Sequence, residues 1–103
     1  MSSLLKSGNA SKAKRDASAL DDIRHAMLNV LGDRGALAYP VVQLRVTYAN
    51  DVQDLWYLRG DVMAAIAALD GEATARERLA MVSAMFKGLL PSGLSSRPSP
   101  LGQ

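Results

Sequence analysis

The sequence predicts a small, mainly α domain of three to four helices, built on an antiparallel helical hairpin at about 51–69 and 72–88. Three observations predict it. Apolar residues recur at spacings of three and four across 50–90, the period of helices that bury one face. Asp70-Gly71 interrupts that run with a turn signal short enough to make its two arms antiparallel neighbours. Only 41–49 looks at all like a strand, and a lone strand has nothing in the chain to pair with.

In the first arm Asn50 reads as the N-cap and Gln53 as the residue that reaches back to it. Val52, Leu55, Trp56, Val62, Met63, Ile66 and Leu69 form the apolar stripe, and the alanines of 64–68 would let a neighbouring helix approach closely. In the second arm Ala75, Leu79, Val82, Phe86 and Leu89 carry the stripe, and Glu72 precedes Arg76 by four residues, the favourable order for an ion pair. Gly88 reads as a left-handed stop, and Pro91 forbids continuation.

Upstream, Ser18 and Asp21 have the spacing of a capping box before a helix from about 19 to 31, with Leu20, Ile23, Met27, Val30 and Leu31 on one face. Gly32 ends it, and GDRGALAYP reads as a loop. Residues 41–49 admit two readings. They form a short helix opened by Pro40, with Val41, Leu44 and Tyr48 inward, or a strand pairing with its own copy across a dimer.

The 103 residues divide into a basic tail (1–17), a helical domain (18–90) and a Ser/Pro/Gly tail (91–103), both tails expected to be disordered. The domain has 73 residues, a size at which a lone core is marginal, so self-association or a partner surface is expected. The net charge of +2 is unevenly placed. Lys6, Lys12, Lys14 and Arg15 make the first tail basic, whereas 51–90 carries six acidic groups against four basic ones. The fold therefore offers no basic face for nucleic acid. No apolar run reaches membrane-spanning length, the N-terminus lacks the apolar centre of a secretory signal, and the expected location is cytoplasmic.

No arrangement of residues points to catalysis or to a cofactor. The chain has no cysteine, which excludes thiolate chemistry and thiolate metal sites. His25 is its one histidine, and with Asp21 it supplies at most two ligands where a metal site needs three or four. Gly32-Asp-Arg-Gly35 resembles the G-x-x-G loop of KH RNA-binding domains over those four residues, but Tyr39-Pro40 follows too soon for the helix that such a loop precedes. Two glycines ending a helix and making a turn explain the motif as well. Met27, Met63, Met81 and Met85 read as adaptable core filler.

Arg59 is the most informative residue. It sits inside an apolar stripe, so it must snorkel, stack on the indole of Trp56 or meet a carboxylate. Gly60 beside it suggests a close backbone approach or a kink. Trp56, Arg59, Tyr57 and Met63 are the interface candidates, since Trp, Tyr and Arg dominate binding hot spots. The expected function is thus a non-catalytic protein–protein interaction or scaffold protein whose partner is another protein or itself. The alternative is a small dimeric DNA-binding regulator. With 41–48 as a strand, the order strand–helix–helix is similar to ribbon-helix-helix repressors, and that resemblance implies Gln43, Arg45 and Thr47 as the outward, base-reading set.

Overall fold

The computed structural model describes the backbone of residues 2–90 and the side chains of 17–90. Four helices follow one another: α1 (Ser2–Ala38), α2 (Pro40–Thr47), α3 (Val52–Asp70) and α4 (Glu72–Ala84). There is no strand among the described residues. The tail expected at 91–103 lies outside them.

On α1, Ile23, Met27 and Leu31 recur every four residues and are buried. Ser18 lies in mid-helix rather than at a cap, and the helical backbone runs back to Ser2, across the stretch whose composition suggests an unstructured tail. That stretch is rich in Ser, Ala and Lys but holds no proline, so nothing in it stops propagation outright from the packed part. Gly32 breaks the helix at φ 73° and ψ 177°, a region essentially closed to residues with a Cβ. The helix then resumes to Ala38, where a loop was expected. Gly35 is therefore a packing glycine and not a turn glycine. A Cβ there would lie 2.7 Å from the Leu31 side chain.

Residues 40–47 are helix, and the strand reading of 41–49 is corrected. Proline disfavours α geometry in the residue before it, and Tyr39 accordingly leaves the helix (φ −131°, ψ 65°). Proline suits the first helical position, and α2 begins at Pro40. A helix satisfies its own backbone groups, which an unpaired strand cannot. The inward set is Val42, Val46 and Ala49, spaced four and three, with Val46 fully buried. Val41, Leu44 and Tyr48, expected inward, face solvent.

The cap of α3 falls one residue later than expected. Asp51 is extended (φ −154°, ψ 176°), and its Oδ1 accepts from the Asp54 N–H at 2.8 Å. Asp54 Oδ2 in turn accepts from the Asn50 N–H at 2.9 Å. Two acidic residues thus do what Asn50 and Gln53 were expected to do, and both suit the positive end of a helix. Leu55, Val62, Ala65 and Ile66 are buried along α3, joined by Arg59.

Gly71 separates α3 from α4 at φ 94° and ψ 158°. Residues equally far from it meet: Trp56 packs edge-on against Phe86 (centroids 5.2 Å apart), and Arg59 reaches Ser83. Ala75, Leu79 and Val82 bury the inner face of α4. The helix ends at Ala84, earlier than the expected 88, because its last turns tighten: Phe86 N–H donates to Ser83 C=O and Leu89 N–H to Phe86 C=O. Gly88 is left-handed as expected (φ 79°). Met81 on α4 and Met85 just beyond its end, read as core filler, are exposed, whereas Met27 is fully buried.

Polar ties join the ends of these elements. The Asp70 carboxylate takes Arg34 Nη1 at 2.8 Å and Arg78 Nη1 at 3.2 Å, linking α1, α3 and α4. Arg24 Nη2 donates to the Ala49 carbonyl at 2.8 Å, fixing α1 to the α2–α3 joint. The predicted Glu72–Arg76 pair forms at 2.8 Å and is fully exposed to screening, so it contributes little.

Two glycines should respond oppositely to alanine. A Cβ at Gly60 meets nothing within 4 Å, so there is no close approach of the kind the sequence suggests, and the residue is regular helix. Gly60→Ala should stabilise the fold by about 0.5–1 kcal/mol in urea unfolding. Gly71→Ala should destabilise it by about 1–3 kcal/mol, because the φ of 94° remains obligatory. Equal effects at both sites would mean that the α3–α4 joint is not built this way.

Candidate interaction surface

Trp56 and Arg59 share one face of α3, three residues apart, and Phe86 comes to that face from beyond α4. The Arg59 guanidinium carbon lies 3.2 Å from the indole centroid and 5.9 Å from the Phe86 ring. Its Nε donates to the Trp56 carbonyl at 3.0 Å and its Nη1 to Ser83 Oγ at 3.0 Å. A planar cation between ring and hydroxyl keeps both its charge–quadrupole attraction and its hydrogen bonds. Stacking on the indole, one of the outcomes open to an arginine in an apolar stripe, is observed.

Burial lowers the Arg59 pKa to about 10, which leaves it cationic at neutral pH. In the window above about pH 10 the folded chain releases this proton while the unfolded chain, with the ordinary arginine value, still holds it. The contribution of Arg59 to unfolding free energy therefore rises with pH in that window and is constant below it.

The turn of α3 that sends Trp56 inward sends Tyr57 out. Tyr57 is 66% exposed and stands beside Leu58. Across from them α2 presents Val41, Leu44 and Tyr48, which are 56%, 50% and 74% exposed. Between the two helices lies an open, mostly apolar groove of about 520 Å³, with Arg45 on the α2 wall and Asp54 on the α3 wall. Arg45 Nη1 lies 3.7 Å from Asp61 Oδ2, a loose pair with both side chains at least half exposed. The structure thus offers an apolar floor of aliphatic and aromatic side chains with both signs of charge at its edges.

The four interface candidates are divided by this geometry. Tyr57 lines the groove. Trp56 and Met63 are half-buried against the core, and Arg59 is only 4% exposed. Gln43 and Thr47 are engaged with each other on α2, through Gln43 Nε2 to Thr47 Oγ1 at 3.2 Å and Thr47 Oγ1 to the Gln43 carbonyl at 2.8 Å. With 40–47 helical, Gln43, Arg45 and Thr47 do not share a face, and the ribbon that would have displayed them has no strand to be built from. His25 is exposed on α1, and among the described residues no three His, Asp or Glu side chains converge to hold a metal. No helix among the described residues is long and apolar enough to cross a membrane.

Val41, Leu44, Tyr48, Asp54 and Leu58 are the groove residues that sequence reasoning missed as site residues. Their signal was present, since 41, 44 and 48 repeat at three and four. What sequence did not supply was the direction in which that stripe points. Compared with known proteins, the chain matches no family model, no curated protein and no solved structure.

The Arg59 stack makes a measurable prediction, and Trp56, the sole tryptophan, reports on it. Arg59→Lys loses the planar stack and the forked hydrogen bonding. It should cost about 1–2 kcal/mol in urea unfolding and shift the folded-state tryptophan emission. A variant with wild-type stability and emission would show that the stack does not hold α3 to α4.

Proposed function

We propose that this protein is a non-catalytic helical interaction module, and that it docks its partner in the α2–α3 groove. The observation that carries the reading is the arrangement of Val41, Leu44 and Tyr48 on α2 opposite Tyr57 and Leu58 on α3. Val41, Leu44, Tyr48 and Tyr57 are exposed large apolar side chains gathered on one face, the kind of patch that marks an interaction surface. The two tyrosines supply rigid contact area with a polar tip, as hot-spot residues do. The antiparallel α3–α4 hairpin is the support, holding one wall of the groove through its own core contacts.

Site-specific photocrosslinking in cells tests this reading. A photoreactive phenylalanine analogue at Tyr57 or Leu44 should give discrete protein adducts. The same analogue at Ala73, exposed on α4, should give none. Absence of adducts at both groove positions, or equal labelling at all three, would remove the groove as the docking surface.

A further inference from the structure

We infer that the occupant of this groove is a second copy of the same chain, so that the protein is an isologous dimer closed through α2 and α3. This rests on the reading of the groove as a docking surface and adds the identity of the partner. The argument is one of charge and symmetry. The α2 wall is basic: Arg45 is the one charged residue of Pro40–Thr47, and its side chain is 62% exposed. The α3 wall is acidic, carrying Asp54 at the groove and Asp61 beside it. A two-fold axis lying along the groove sets the α2 wall of each copy over the α3 wall of the other. Arg45 then comes against the acidic wall twice, once at each end of the interface, as self-complementary patches require. A partner of a single charge sign would be repelled by one wall or the other.

The area is of the right order. Tyr48 and Tyr57, at 74% and 66% exposure, together offer roughly 300 Å², given that a buried aromatic covers about 150–250 Å². Val41, Leu44 and the charged rim extend this towards the ~800 Å² per partner of a standard interface. The loose Arg45–Asp61 contact of 3.7 Å fits the same picture. The two side chains pair within the chain at the exposed surface, and the dimer would exchange that pair for the same pair between chains.

Light scattering on the full chain across a dilution series decides the matter. The expected result is a species of twice the 11.0 kDa chain mass, dissociating with a constant of about 1 µM or tighter. Leu44→Glu and Tyr57→Glu should each weaken it at least about tenfold with wild-type helicity and unfolding midpoint, since both side chains already face solvent. Arg45→Asp should weaken it, and combination with Asp61→Arg should restore it. A chain that stays monomeric overturns the inference, as does a dimer indifferent to Leu44→Glu and Tyr57→Glu. The photocrosslinks separate the two failures. A monomer that gives adducts with other proteins at Tyr57 keeps the interaction reading and loses only the dimer, whereas a monomer without adducts loses both.

Discussion

The structure depends on one buried cation. Arg59 lies flat on Trp56, and Trp56 lies edge-on to Phe86. This stack is what the N-terminal half of α3 and the end of α4 share. A guanidinium at 4% exposure is destabilising unless its charge and its hydrogen bonds are both met. The indole face meets the charge, and the Trp56 carbonyl and Ser83 hydroxyl take hydrogen bonds. Because the stack fixes the roll of α3 about its axis, it also fixes what lies about 100° further round. Trp56 inward means Tyr57 outward. The groove wall is thus a consequence of how the core is closed, not an independent feature of the surface.

The other wall follows from α2, a helix of eight residues that would not persist alone. It is held by Pro40 at its start, by Val46 in the core and by Ala49 at its end. A helix this short has room for one buried face. It nonetheless carries two apolar stripes, Val42–Val46–Ala49 and Val41–Leu44–Tyr48. Among the described residues only the first is buried. Apolar character around most of a helix marks one that is central to a fold or lies in an interface, and that pattern is what supports the proposed docking role of α2.

The same duplication explains what could be read from sequence. The α3 and α4 stripes were legible because their apolar residues recur at three and four over more than three turns, and Gly71 was legible because Asp-Gly interrupts them. Arg59 was legible as an anomaly, though not in its outcome, since the stack needs Phe86 and Ser83 from beyond the turn. In 41–49 three patterns coexist. Val42, Leu44, Val46 and Tyr48 alternate like a strand, and two helical stripes interleave with them. Local rules favour the strand, and the missing partner strand decides for the helix. The choice between the two stripes rests on which one α1 and α3 can cover, a property of the assembled core. Asp51 and Asp54 displaced Asn50 and Gln53 for a similar reason, because the exact entry of α3 is set by the joint that Arg24 ties to Ala49.

The two walls differ in how firmly they are held, and that difference bears on binding. The α3 wall is backed by Leu55, Val62 and Ile66, all essentially inaccessible, and by the Arg59 stack. The α2 wall is backed by Val46 with the partly buried Val42 and Tyr39. A partner meeting Tyr57 and Leu58 therefore meets a rigid, preorganised surface, and little ordering is needed there. A partner meeting Leu44 and Tyr48 engages a short helix between a proline-marked break at Tyr39 and a tie at Ala49. In the proposed complex the α3 wall would supply the preorganised surface, and covering the second apolar stripe of α2 would in turn stabilise that short helix.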